Sequence, residues 1–309
     1  MKLVGLAICI LAFVVSTHAQ SAEIEKADSV ASLYPGHSLD DLGILSYKLT
    51  ASLSTDKGKF RAIYKWVCAN IESDYELMEI NKRKRAKLKG DALTRWNKAF
   101  NLTMIRILVD RHKTLCTGYA WLVRELALRA GIACEIVHGY GRSVRSNIGG
   151  TGVANHSWNA VQLNGQWYLC DPTWSSGGVT ESNTFVPSFN DCYFLADPAY
   201  FILNHYPLDT TWALLENAPG LHTFLNAPLI YASAYDLRVR PEQPSTFRFA
   251  TRKGQAINFS FINEMCQPLK MMVENKFVAT DYAFPKRGVY AIHVVVDEKI
   301  VISYEVAVK

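Results

Sequence analysis

The dipeptide Asn164-Gly165, set between two alternating apolar runs, constrains this chain more than any other feature. Ser157 to Leu163 and Trp167 to Cys170 each alternate with period two, and an Asn-Gly pair between such runs is a strong hairpin signal. With Asn164 and Gly165 as the central turn residues, Leu163 pairs with Gln166. Counting outward sets Trp158 opposite Asp171. Residues two apart on a strand share a face, so His156 and Asp171 become diagonal neighbours, about 7–8 Å apart at the backbone. A slip of a single residue would put them on opposite faces. The turn therefore predicts an imidazole beside a carboxylate.

Such a pair is the base and orienter of a nucleophilic triad, which needs one more member. Thr114 to Ala120 supplies a thiol. Leu122, Val123, Leu126 and Leu128 predict a helix over Cys116 to Arg129, stopped at Gly131. Cys116 then meets the positive end of the helix, which favours the thiolate. Its backbone N–H is a candidate oxyanion donor, and Gly118 leaves room near the nucleophile. His156 would act as base and then as acid, while Asp171 fixes its tautomer. Trp158 and Trp174 are candidate substrate-binding residues. Taken singly, each reads more simply: a packing cysteine, a half-buried strand histidine, an Asp-Pro turn starter. Only their types, order and register together carry the chemistry.

Hydrophobic residues make up 49% of the 309, enough for a packed core and two domains. Lys2, the apolar run Leu3 to Val15 and the small residue Ala19 have the form of a signal peptide, residues 1–19, cleaved before Gln20. The expected mature protein is exported, periplasmic or extracellular, with no stable membrane insertion. Removing Lys2 lowers the mild net charge of +5 by one. The basic run Lys82 to Lys89 reads as a solvated helix face or loop, or as a surface for an anionic polymer. Without interleaved aromatics it does not suggest nucleic acid. Cys68, Cys116, Cys134, Cys170, Cys192 and Cys266 remain after cleavage, spread through apolar runs, and most are expected to be buried thiols. His112 and Cys116 have i, i+4 spacing, but there is no CxxC or HExxH pattern, so neither a metal nor any other cofactor is expected.

Helices are expected from Ala22 to about Leu53 with a break at Pro35-Gly36, from Thr55 onward with Phe60, Ile63, Tyr64, Val67 and Ile71 on one stripe, and from Asp91 to Val109. Ile132 to Tyr140 reads as a strand and Ser143 to Val153 as a loop. After Pro219-Gly220 come short alternating runs without helical periodicity. The expected domains are residues 20–218 and a small β-sandwich over 221–309.

Cys116 to Ala120, Ala130-Gly131-Ile132, His156 to Val161, Asn164 to Tyr168 and Asp171 to Trp174 together resemble the transglutaminase-like superfamily. Tyr193-Phe194, Asp197-Pro198, His205-Tyr206-Pro207 and Trp212 resemble its kyphoscoliosis-peptidase-type subgroup. The resemblance covers roughly residues 40 to 216 and implies an α+β, papain-like transglutaminase core followed by an immunoglobulin-like sandwich. It implies Cys116, His156 and Asp171 as the triad of a cysteine acyl-transfer enzyme. Thr114-Leu115 replaces the family's common Gly-Val, and Cys170 replaces an aliphatic residue. Hydrolysis of an amide or peptide bond is the leading expectation, with transamidation of protein glutamine beside it. The expected partner is a protein or peptide substrate, or a cell-envelope component. A non-catalytic scaffold binding peptide or glycan is the alternative.

Overall fold

The computed structural model describes residues 21–144, 146–180, 182–236, 239–243, 246–258, 260–263, 270–278 and 281–309. The expected leader, residues 237 and 238 of the expected β-sandwich, and Cys266 lie outside them. Contacts group the chain into two compact units. One runs up to Ile136 and adds Trp158–Phe194; the other is Val137–Ser157 with Leu195–Lys309.

The first unit is mostly helical. Helix α1 (21–32) ends before Pro35-Gly36. Helix α2 (Leu42–Thr50) starts at Asp41, whose carboxylate accepts the N–H groups of Gly43 and Ile44. Thr55 caps α3 (Asp56–Asn70) in the same manner, accepting from Gly58 N at 3.0 Å. The stripe expected on α3 is buried: Phe60, Ile63, Tyr64 and Val67, with Ile71 at its end. Helix α4 (Tyr75–Lys87) carries most of the basic run on an exposed face, where Lys84 lies over the Trp96 ring at 5.4 Å. Helix α5 (Gly90–Arg111) ends at His112, which adopts the left-handed conformation at φ 52°. That turn removes the spacing argument for zinc at His112 and Cys116, because the two residues do not share a helix. Strands β1 (Glu72–Ser73) and β2 (Lys113–Thr114) pair in parallel and lead into α6 (Cys116–Arg129).

Strands β3 (Cys134–Gly141), β4 (His156–Leu163), β5 (Gln166–Cys170) and β8 (His205–Pro207) form a sheet in the order β5-β4-β3-β8. The β4–β5 register runs from Leu163 opposite Gln166 to Asn159 opposite Cys170, as the turn requires. Asn164 and Gly165 have φ of 51° and 79°, the positive pair of a type I′ turn. Helix α7 (Pro172–Ser176) follows β5, then the strand pair β6 (Gly177–Val179) and β7 (Phe185–Pro187), and α8 (Pro198–Phe201).

The C-terminal region departs from the expectation at its start. Two helices, α9 (Leu221–Asn226) and α10 (Ala232–Asp236), flank strand β9 (Leu229–Ile230). At six and five residues they are too short to show a helical period. The rest is all β. Strands β10 (Val239–Gln243) and β13 (Ser260–Asn263) pair, as do β12 (Ala256–Asn258) and β16 (Asp281–Ala283). A six-stranded sheet takes β11 (Arg248–Thr251), β18 (Lys299–Val308), β17 (Gly288–Val296), β14 (Lys270–Val273) and β15 (Lys276–Val278) in that order, with β9 added on β18. Ile292, Val294, Val301, Ile302 and Val306 are its buried centre. Among the described residues no helix is long and apolar enough to cross a membrane.

Candidate active site

Cys116 is the first residue of α6 and is half-buried. The residue before it, Leu115, makes no side-chain cap, unlike the Asp and Thr residues that start α2, α3 and α4. No capping oxygen from Leu115 offsets the positive end of the helix beside the thiol. Behind Cys116 the chain is tightly packed. A Cβ on Gly118 would stand 1.8 Å from Thr114 Oγ1, and Thr114 itself is wholly buried. The space that Gly118 leaves is filled by Thr114, so this glycine shapes the helix start and does not open the nucleophile to substrate.

Helix α6 docks on β4 through Asn159, whose side-chain amide donates to Ala120 O at 2.9 Å and to Glu135 O at 3.3 Å. Tyr119 donates to Ile71 O at 2.6 Å and ties the same helix to the end of α3. The helix bearing Cys116 is therefore bonded to the strand bearing His156, four residues beyond the one and three beyond the other.

Asp171 starts a helix, a role that the Asp-Pro pair taken as a turn starter did not show. It is the N-cap of α7, with Oδ1 accepting Thr173 N at 2.8 Å and Trp174 N at 3.2 Å. Asp followed by Pro at the first helical position is a helix-start signal, and it was there to be read. The Asp171 backbone is fixed as well. Its N–H donates to Tyr193 O at 3.0 Å. The Tyr64 hydroxyl sits 2.8 Å from Asp171 O, 2.7 Å from Ser175 Oγ and 3.0 Å from Tyr193 O. Farther out, Arg61 bonds Asp28 at 2.5 Å, bonds Asp191, and lies over the Phe194 ring at 4.8 Å. The carboxylate is thus held from both the helix it caps and the chain around it.

His156 opens β4, nearly buried, beside a gap in β3. A Cβ on Gly141 would come within 2.9 Å of the His156 Cβ, so glycine at 141 admits this imidazole. A second histidine of the same unit, His205, stands near it, with the two ring centroids 5.4 Å apart. His205 is wholly buried and stacks on Phe201 at 4.0 Å and 20°. The sequence showed His205 only as part of a family motif, because the β3–β8 pairing that brings it here is long-range. Trp158 is also wholly buried, while Trp174 is half-buried and packs edge-on against Tyr193 at 5.5 Å. Of the two tryptophans, only Trp174 offers surface to a substrate.

Among the described cysteines none is in a disulfide. Burial pushes the Cys68 and Cys170 thiols well up and the Cys134 thiol up to about 12, so these three stay protonated.

Residues 44–172 match the model of the transglutaminase-like superfamily. Human kyphoscoliosis peptidase is 32% identical over 254 residues, 81% of this chain and 35% of that protein. Its mouse counterpart is 33% identical over 235 residues, 75% of this chain and 33% of that protein. Hillarin of Drosophila melanogaster is 25% identical over 222 residues, 67% of this chain and 25% of that protein. The chain spans about a third of the length of the two peptidases it matches. With an α+β core, a C-terminal all-β region and these matches, the chain belongs to the transglutaminase-like superfamily, in the kyphoscoliosis-peptidase subgroup.

Proposed function

We propose that the protein is an exported, thiol-dependent acyl-transfer enzyme that hydrolyses amide or peptide bonds. The observation that carries this reading is the β4–β5 register, Leu163 opposite Gln166 to Asn159 opposite Cys170, in a hairpin whose strand is bonded to the Cys116 helix. In the proposed reaction the Cys116 thiolate attacks the carbonyl carbon. The Cys116 N–H stabilises the developing oxyanion. Protonated His156 gives its proton to the leaving amine, and a thioester remains on Cys116. His156 then takes a proton from water, the hydroxide equivalent attacks the thioester, and the acid leaves as the Cys116 thiolate and protonated His156 are restored. An amine in place of water would give transamidation.

Superfamily members generally work as cysteine-dependent acyltransferases or peptidases, and the human and mouse relatives carry the name of a peptidase. That name supports hydrolysis of a protein or peptide over transfer to an amine. Export rests on the leader alone, and N-terminal sequencing of the mature protein should begin at Gln20. Incubating the mature protein with a peptide library and reading products by mass spectrometry should show cleavage that Cys116→Ala abolishes. Products of amine incorporation would redirect the reading to transamidation. Intact peptides in every pool, together with a Cys116 of ordinary thiol reactivity, would leave the scaffold.

A further inference from the structure

We propose that His205 is a positioning residue for His156, a second imidazole that fixes the ring plane and nitrogen placement of the base. The inference rests on the acyl-transfer reading and adds a residue to it.

The two imidazoles meet because of a glycine. Strand β3 lies between β4 and β8, and His205 on β8 stands opposite Gly141 on β3. Opposite residues on paired strands share a face. A side chain at 141 would occupy the space above β3; the Gly141 Cβ position is already within 3.0 Å of His156 Cβ and Cγ. Lacking one, the strand lets His156 and His205 reach across it, and their ring centroids come to 5.4 Å at 45°.

His205 is held more firmly than packing alone requires. Phe201 stacks on its ring at 4.0 Å, and Phe201 ends a short helix capped by Asp197, which accepts Ala199 N at 2.8 Å. The preceding residue, Asn204, receives Arg142 N on its carbonyl at 2.9 Å and donates its amide to Ile230 O at 2.9 Å. The ladder to β3 holds the following residues, Tyr206 and Pro207. An apolar ring would fill this wholly buried position without the cost of burying ring nitrogens. A chain that keeps an imidazole there, stacked and aimed at the base, gains something packing does not need. At metal centres, losing a group that orients a ligating imidazole typically costs 10–100-fold in affinity or activity without touching the reacting atoms, and the same orienting logic applies to a base.

The test uses the rate of Cys116 alkylation by iodoacetamide at neutral pH, read peptide by peptide, with Tm followed for each variant. His205→Phe keeps the aromatic stack on Phe201 and removes both nitrogens; the rate should fall about tenfold or more. His205→Gln restores a hydrogen-bonding nitrogen and should recover much of that loss at similar Tm. An unchanged rate in H205F would overturn the proposal, and so would H205F and H205Q slowed alike, which would mark a packing role only. Should H205F fail to fold, Phe201→Leu, which frees the ring plane but keeps the nitrogens, is read the same way: a slowed thiol supports the proposal and an unchanged one overturns it. A Cys116 of ordinary reactivity in the unaltered protein would instead bring down the acyl-transfer reading, and this one with it.

Discussion

Five described cysteines differ in the surroundings their residues meet, and those surroundings sort them. Cys68, Cys134 and Cys170 are buried, and burial favours their neutral thiols. Cys116 and Cys192 are half-buried. Of these only Cys116 starts a long helix. Brief treatment with limiting iodoacetamide should label Cys116 first, with Cys192 slower and the three buried thiols unlabelled until the protein unfolds. Gly118 gives a second expectation at this scale. Gly118→Ala puts a methyl 1.8 Å from Thr114 Oγ1 in a wholly buried spot. It should cost about 1–3 kcal/mol in urea unfolding, as overpacking does. Thr114→Ala should recover part of that cost in the double variant. The β4–β5 register was legible from the Asn164-Gly165 turn alone. The purpose of Gly118 was not, because what fills a glycine's space depends on Thr114 folding back over it.

Elements were legible where a local signal set them. The hairpin came from Asn164-Gly165, α6 from its apolar stripe and Gly131, and α3 from Thr55. The β17–β18 and β14–β15 hairpins turn at Asp297-Glu298 (φ 46° and 64°) and Glu274-Asn275 (φ 49° and 60°). Neither contains glycine, so their strands could be read but their turns could not. Positive φ costs an ordinary residue roughly 1–2 kcal/mol. Replacing both Asn164 and Gly165 by Ala should therefore destabilise the protein by about 2 kcal/mol or more in urea titration, and lower Cys116 reactivity if register slips. The α5 terminus adds a pH dependence. His112 lies edge-on to Trp66 at 6.3 Å, and burial lowers its pKa below the ordinary 6.5. Between the lowered native value and 6.5 the unfolded chain binds more protons, so stability rises with pH through that window and falls on acidification. His112→Asn, which tolerates the left-handed backbone, should flatten this slope when unfolding is measured across the window.

For the molecule as a whole, the α+β core and the β-rich C-terminal region followed from element order: helices, a hairpin, then short alternating strands. What escaped was long-range. The β3–β8 pairing that brings His205 near His156 joins residues more than sixty apart, and no local pattern records it. The same is true of Tyr64, which reaches from α3 to the backbone of Asp171. Tyr64→Phe should keep the ring packing, cost about 1–3 kcal/mol by leaving buried carbonyls short of a donor, and slow Cys116 by loosening its distant carboxylate. Dialysis against a zinc chelator should leave Cys116 reactivity unchanged, because the proposed chemistry needs only the three side chains. The most direct test of the central claim is the pH dependence of Cys116 alkylation in the protein, compared with His156→Ala. A thiolate paired with His156 should react with an apparent pKa well below the ordinary value of about 8.5, rising toward it in the variant. An apparent pKa near 8.5 in both proteins would contradict the triad.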